Sequence, residues 1–258
     1  GIKEAAKMQV LLVLALLGLL VAYIAIGFLH IDITKFVPFA PHGFKSILFT
    51  SAMVFISYGG LTKITAVAEE VKNPSKNIPL AMFSSLIIVG LIYSLVVFVT
   101  TGLVPKDILV KTYTPISDGA GIFLGNIGKI VMALAALLAF ISTANAGIIS
   151  ASRYPFALSK DKLIPKLFSL INRRFSTPSY SIIITGLFMI LAIIWLDLEA
   201  LVEIASAMLI FSYILANIAV IVMRESKILS YKPKFTAPFY PYLQILGIFL
   251  GGLLIYQM

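Results

Sequence analysis

The sequence has no cysteine and only two histidines among its 258 residues. Without cysteine, no disulfide, thiolate nucleophile or cysteine-ligated metal site can form. The histidines, His30 and His42, lie in one connecting segment, and two ligands in one place are too few for a convincing metal site. We therefore expect neither a metal nor a cofactor.

Charged residues are also scarce in this sequence. They make up 12% of the chain and hydrophobic residues 60%, whereas a soluble globular domain carries about 25% charged residues. The mean hydropathy is +1.04. The net charge is +9, but the basic residues lie between apolar runs and form no continuous stripe, so nucleic acid is not an expected partner. The composition instead favours the lipid bilayer as the surroundings of the chain.

Seven apolar runs are near the length that crosses a bilayer as a helix, which is about 20 residues for a core of about 30 Å. The run from Val10 to Leu20 is apolar on every side, unlike the alternating strands of a membrane barrel. We predict an all-α membrane protein whose residues 1–258 form a single transmembrane domain. The predicted helices lie at about 8–29, 46–68, 78–103, 120–152, 179–197, 200–223 and 238–257.

Basic residues crowd alternate connecting segments. One set of segments holds Lys3, Lys7, Lys72, Lys76, Arg153, Lys160, Lys162, Lys166, Arg173, Arg174, Arg224, Lys227, Lys232 and Lys234, and the other holds Lys35, Lys45, Lys106, Lys111 and Lys129. Cytoplasmic loops retain an excess of Lys and Arg. We therefore expect a multi-pass protein of the cell membrane, with the N-terminus of this chain in the cytoplasm.

The basic segment 153–177 is not apolar enough to cross, but apolar side chains recur among its charges. This pattern is typical of an amphipathic element that lies in the membrane interface, here on the cytoplasmic face. A solvated loop is the alternative, which Pro155 and Pro165 favour.

Two adjacent glycines, Gly59 and Gly60, interrupt the second apolar run among several hydroxyl-bearing residues. Each lowers helix stability by about 1 kcal/mol relative to Ala. Inside a membrane, freed backbone groups are tolerated only where protein or a cavity satisfies them, so a break here predicts a binding site for a polar solute. Close packing of helices through small residues is the alternative.

Polar residues also occur elsewhere in the second run and in the fourth. Lys63 could line the inner part of a pathway, or its long stem could carry the ammonium group to the interface. Ser142, Thr143 and Asn145 fall within one helical turn, where their oxygens could coordinate a small cation. Alternatively, they bond their own helix or a neighbour.

A short turn follows the second run, at residues 69–79. Proline disfavours helix at the residue before it and is well placed in the first turn of a helix. We therefore expect Pro74 to end one helix and Pro79 to begin the next.

The sequence resembles the amino acid, polyamine and organocation (APC) transporter superfamily, as an amino-acid permease. Phe55 to Leu61, followed by Glu-Glu-Val-Lys-Asn-Pro-Ser-Lys-Asn-Ile-Pro at 69–79, carries the resemblance. Further support comes from Ser142 to Ala146, Ala151 to Arg153, Ala157 to Asp161, and Pro238 to Pro241. The similarity covers essentially the whole chain.

The resemblance implies a leucine-transporter-type fold, in which about twelve helices include two inverted repeats of five. This chain resembles helices five to eleven, so we expect a partial fold that lacks the first four. In the family, the substrate's amino and carboxyl groups lie between the broken first and sixth helices. Gly59 and Gly60 correspond to the unwound stretch of the sixth helix, with Ile56, Ser57 and Tyr58 facing the substrate or its gate.

The coupling ion stays open between H⁺ and Na⁺. Certain proton-coupled members carry a lysine in the first run, where this chain is apolar from Leu12 to Leu16. Ser142 and Thr143 match the part of the eighth helix that contributes oxygens to the sodium site of sodium-coupled relatives. Many relatives have an acidic residue where this chain has Thr62 and Lys63, so a neutral amino acid is the favoured substrate.

We therefore expect a secondary active transporter, a symporter or antiporter that works by alternating access, and not an enzyme. A seven-helix receptor or channel is an alternative, and it would require a complete ligand site within the chain. A further alternative is a structural fragment that is inactive without its partner, the missing N-terminal helices of the same permease.

Overall fold

The computed structural model describes residues 2–61, 64, 71–172, 177–226, 233 and 235–258. Over this part of the chain, the regular secondary structure is helical, apart from one isolated bridge between Asn172 and Thr177. The α-helices are α1 (Ile2–Phe28), α2 (Gly43–Val54), α3 (Pro74–Leu103), α4 (Lys106–Leu109), α5 (Pro115–Ala151), α6 (Arg153–Lys160), α7 (Ser179–Trp195), α8 (Leu198–Glu225) and α9 (Tyr242–Gln257). Short 3-10 helices cover Ile33–Phe36, Phe55–Tyr58 and Lys166–Ser169.

Four of the described helical stretches are long and apolar enough to cross a membrane by length and composition. They are Val10–Phe28, Pro74–Leu103, Pro115–Lys160 and Leu198–Glu225. Three shorter apolar stretches are Gly43–Tyr58, Ser179–Trp195 and Tyr242–Gln257. The prediction of an all-α membrane protein is confirmed.

The chain divides into two compact units. Unit 1 comprises residues 1–39 and 87–183, and unit 2 comprises residues 40–86 and 184–258. The single transmembrane domain expected from the sequence stays a prediction.

The core of unit 1 gathers side chains from α1, α3 and α5. Its buried members are Tyr23, Val96, Val99, Leu103, Val104 and Ala120. The Tyr23 hydroxyl lies 2.8 Å from Thr100 Oγ1, which also donates to the Val96 carbonyl at 2.7 Å. Gly119 packs directly against the Tyr23 hydroxyl, because a Cβ at this glycine would collide with it. The polar contact at the centre of unit 1 therefore joins three helices.

Gly125 turns the chain back on itself inside α5. Its backbone angles, φ +61° and ψ −150°, belong to a region that is essentially restricted to glycine. Ser117 Oγ donates to the Lys129 carbonyl at 2.8 Å, and Lys129 Nζ lies 3.2 Å from Asp118 Oδ1. Residues twelve apart could not meet in this way along a straight helix. The first ten residues of α5 therefore fold back on the part that follows Gly125.

Pro74, and not Pro79, begins α3. Asn73 has a left-handed backbone with φ +48°, and Asn77 Nδ2 donates to the Lys72 carbonyl at 2.6 Å. Pro74 needs no hydrogen-bond partner in the first turn, so the helix starts there and Pro79 lies inside it. The prediction that Pro79 begins the helix is wrong because the turn at Asn73 already redirects the chain.

In unit 2, α8 and α9 pack antiparallel through small residues. A Cβ at Gly247 would lie 3.1 Å from Asn217 Nδ2, and one at Gly251 would lie 2.9 Å from Ile214 Cγ1. The segment before α9 returns to the end of α8, where Tyr240 donates its hydroxyl to Glu225 at 2.8 Å and lies beneath the Arg224 guanidinium. The Pro-Phe-Tyr-Pro motif therefore joins these two helices.

Candidate functional site

Helix α2 changes its winding before the glycine pair. Its α-helical part ends at Val54, a 3-10 helix covers Phe55–Tyr58, and Gly59 and Gly60 form a turn. Such a change of winding within a helix often marks a functional hinge. The predicted run continued to residue 68, but Lys63 and most of that stretch lie outside the described residues.

Ser206 supports the backbone at this change of winding. Carbonyl groups at the end of an α-helix lose their partners four residues ahead. The Met53 carbonyl accepts a hydrogen bond of 2.7 Å from Ser206 Oγ of α8, and the Ser206 side chain is completely buried. Ser206 is not among the site residues predicted from the sequence, although a serine within an apolar span is itself a signal that a backbone group needs a donor.

The two glycines have different surroundings. Gly59 has ordinary helical angles, φ −63° and ψ −11°, so its conformation does not require glycine. The space around it is tight, because a Cβ there would lie 3.1 Å from the Ile56 carbonyl oxygen and 3.3 Å from Leu209 Cδ2. Gly60 is exposed and a Cβ there would meet nothing within 4 Å. Gly59 therefore permits contact with α8, whereas Gly60 leaves its backbone accessible.

An open cavity of about 450 Å³ runs along one face of α2 and its 3-10 extension. It is lined by Ser46, Ile47, Thr50, Ser51, Val54, Phe55 and Tyr58. Ser51 Oγ donates to the Ile47 carbonyl at 2.8 Å within its own helix. Phe55 packs edge-on against the Tyr213 ring of α8, with centroids 5.7 Å apart. The cavity thus combines hydroxyl groups with an apolar wall, as sites for small polar ligands do.

The structure places the predicted site residues of α2 at or beside this cavity. Tyr58 lines the cavity. Ile56 and Gly59 are half-buried and Ser57 and Gly60 are exposed, and these four lie next to Tyr58 outside the lining. Their role in substrate binding stays a prediction.

The predicted cation-coordinating residues belong to unit 1, on α5. Ser142 is half-buried, whereas Thr143 and Asn145 are exposed. Among the described residues, there is no group of three or more His, Asp and Glu side chains that could hold a metal ion. The side-chain oxygens of these three residues are uncharged, and their role in ion coupling stays a prediction.

This fold and site define a multi-pass α-helical membrane protein with an interrupted helix beside a hydroxyl-lined cavity. The family model described as amino acid permease matches residues 1–258. The chain therefore belongs to the amino acid permease family, which confirms the resemblance to the APC superfamily. Its assignment to helices five to eleven stays a prediction.

Several relatives carry the names of transporters or permeases, which supports the family assignment. A methylthioribose transporter of Bacillus subtilis (strain 168) is 28% identical over 251 residues, which are 96% of this chain and 53% of that protein. A cationic amino acid transporter 5 of Arabidopsis thaliana is 28% identical over 204 residues, 77% of this chain and 35% of that protein. The branched-chain amino acid permease BcaP of Bacillus subtilis (strain 168) is 25% identical over 231 residues, 88% of this chain and 49% of that protein. The chain thus spans about half or less of the length of these relatives.

Proposed function

We propose that this chain is part of a secondary active transporter that moves an amino acid or a related small polar solute by alternating access. The change of winding in α2, supported by Ser206 and adjacent to the cavity at Tyr58, carries this proposal. Interrupted helices of membrane transporters bind substrates through exposed backbone groups. The proposed role needs no covalent chemistry, so we infer that the chain is not an enzyme.

The proposed substrate lies against the 3-10 segment and the glycine turn. Backbone groups near Ser57 and Gly60 hold its charged ends, while Tyr58 and the hydroxyl groups of Ser46 and Thr50 contact it from the cavity. Because these groups are neutral dipoles, they suit a zwitterion, whose own charges are opposite and close together.

A neutral amino acid is the proposed substrate class. The relatives are named for methylthioribose, cationic amino acids and branched-chain amino acids, so their names do not select one class for this chain. The described part of the cavity helix, Gly43–Gly60, has Lys45 as its charged residue and no carboxylate. A cationic substrate side chain would find no opposite charge on this described part of the helix.

The rest of the permease supplies the other half of the proposed site. This follows from the length of the relatives, of which the chain spans about half or less. In the proposed arrangement, the missing helices are the partner that closes the open cavity of α2. The protein lies in the cell membrane, with the N-terminus of this chain in the cytoplasm, because its basic residues crowd the segments on that side.

Ion coupling is assigned to α5 in this proposal. Ser142, Thr143 and Asn145 supply uncharged oxygen ligands, and oxygen is the ligand atom that hard cations prefer. Sodium is one candidate driving ion and a proton is the other.

The test is transport by the purified full-length permease in proteoliposomes. Uptake of radiolabelled neutral, branched-chain and cationic amino acids is measured while sodium and proton gradients are imposed separately. We expect uptake of a neutral amino acid, stimulated by one gradient, and a higher KM for Tyr58→Ala. Tyr113→Ala is the control, because Tyr113 is 86% exposed and lies outside the cavity. No uptake of any amino acid or amine, or an unchanged KM for Tyr58→Ala, would contradict the proposal.

A further inference from the structure

The segment that joins α5 to α7 is held by several hydrogen bonds over residues 153–171, which we call the basic bracket. Ser159 Oγ, which is buried, donates to the Pro165 carbonyl at 2.8 Å. Leu163 N donates to the Leu158 carbonyl at 2.9 Å, closing the turn after α6. Ser181 of α7, also completely buried, donates to the Phe168 carbonyl at 2.8 Å. Two buried hydroxyl groups thus tie the bracket to itself and to α7.

The outer surface of the bracket mixes ammonium groups with apolar side chains. Lys160, Lys162 and Lys166 are exposed. Between and after these lysines lie four exposed apolar side chains, those of Leu163, Leu167, Leu170 and Ile171. The exposed fraction is 69% for Leu163 and 57% for Ile171. The bracket carries four basic residues and one acidic residue, Asp161. Leucines exposed among lysines are typical of a surface that lies against a membrane.

The position of the bracket along the chain brings it to a membrane boundary. It begins with α6, which forms the end of the apolar stretch Pro115–Lys160, and it precedes the apolar helix α7. Apolar side chains in this position insert between lipids, while lysine stems carry their ammonium groups to the level of the phosphates. Lysine clusters next to a membrane span attract anionic lipid headgroups.

We propose that the basic bracket binds the headgroups of anionic phospholipids. Lys160, Lys162 and Lys166 contact the phosphate groups, and the leucines anchor the bracket among the acyl chains. Lys160 Nζ already lies 4.6 Å from the centre of the Phe156 ring, which limits the positions that the ammonium group can take. This inference does not depend on the transported substrate, since it concerns a surface that binds lipid with or without transport.

Lipid binding by the full-length permease in detergent tests this proposal. Phosphatidylglycerol and phosphatidylcholine are titrated separately, and bound lipids are counted by native mass spectrometry. The triple variant Lys160→Gln/Lys162→Gln/Lys166→Gln is compared with Lys45→Gln/Lys106→Gln/Lys111→Gln, which loses the same charge elsewhere. We expect the Lys160/Lys162/Lys166 variant to bind phosphatidylglycerol more weakly by roughly tenfold or more, with phosphatidylcholine binding unchanged. The Lys45/Lys106/Lys111 variant should bind both lipids as the parent does.

Two further variants keep the proposal testable if the first triple variant folds poorly. Replacing the same three lysines by arginine preserves charge and should preserve binding. Asp161→Asn removes the one acid of the bracket and should tighten phosphatidylglycerol binding. Equal affinity of the parent and the glutamine variant for phosphatidylglycerol, or an equal loss for both lipids, would overturn the proposal. Binding of a soluble acidic protein by the bracket, without binding of phosphatidylglycerol, would also overturn the proposal.

Discussion

Ser206 Oγ lies 2.7 Å from the Met53 carbonyl oxygen, at the point where α2 passes from α-helix to 3-10 helix. The two residues are separated by 153 positions in the sequence. A completely buried hydroxyl thus satisfies a backbone group at a helix end, in surroundings where water is scarce. The support comes from α8, so the geometry of the candidate site depends on how α8 packs against α2.

The first prediction concerns this hydrogen bond. Ser206→Ala should lower the free energy of unfolding by about 1 kcal/mol, because the Met53 carbonyl loses its donor in a dry environment. The measurement is denaturant unfolding of the full permease in detergent. Ser212→Ala, at an exposed serine of the same helix, is the control and should change stability little. Equal effects of the two substitutions would refute the supporting role of Ser206.

The second prediction separates the two glycines. Gly59→Val should destabilise the protein, because its side chain would press on Leu209 and on the Ile56 carbonyl. Gly60→Ala should leave stability unchanged, since its Cβ enters open space, but it should weaken binding of a substrate held by the backbone at Gly60. Thermal unfolding and substrate binding of each variant are measured together. Intact binding by Gly60→Ala would remove Gly60 from the proposed site.

The third prediction is a coupling between Tyr23 and Gly119. Gly119→Ala should destabilise the core of unit 1, because the new methyl group collides with the Tyr23 hydroxyl. Tyr23→Phe removes that hydroxyl, at a cost of about 1 kcal/mol for the lost bond to Thr100. In a double-mutant cycle, the two substitutions together should cost less than their sum, by about 0.5 kcal/mol or more. Strict additivity would show that Gly119 does not pack on this hydroxyl.

The fourth prediction concerns the reversal of the chain at Gly125. Gly125→Ala should cost about 1–3 kcal/mol, because a side chain is strained at these backbone angles. Gly147→Ala is the matched control in the same helix, where a Cβ meets nothing within 4 Å, and it should be neutral or slightly stabilising. Because the Asp118–Lys129 ion pair is partly exposed, it contributes little to the free energy of unfolding. Lys129→Gln should therefore have a smaller effect than Gly125→Ala. The free energies of unfolding of the three variants are measured, and Gly125→Ala should show the largest loss.

The fifth prediction tests orientation in the membrane. The chain has no cysteine, so single cysteines can be introduced at Lys111→Cys and Lys162→Cys after any cysteines elsewhere in the permease are replaced. A membrane-impermeant maleimide should label Lys111→Cys in intact cells, whereas Lys162→Cys should react only after the membrane is opened. The reverse pattern would place the N-terminus of this chain outside.

Some of the local features near the candidate site were predictable from sequence. The glycine pair and the hydroxyl groups around it indicated an interruption, and the described part of α2 does change its winding there. The start of α3 at Pro74 was not predicted, because the left-handed turn at Asn73 that redirects the chain leaves no clear pattern in the sequence. The reversal at Gly125 was missed for a similar reason, since a single glycine within a long apolar run is also compatible with a continuous helix.

The sequence by itself determined the membrane class, the apolar helices and the family of this protein. The membrane class and the apolar helices follow from local composition, because a lipid environment requires long apolar runs and each helix satisfies its own backbone. The family follows from the resemblance carried by the motifs at 55–61 and 69–79. Only the tertiary structure decided that Ser206 supports Met53, that Gly59 contacts Leu209, and that Tyr23 meets Thr100 and Gly119. Such contacts depend on the rotation and separation of packed helices, which arise from many side chains distant in the sequence.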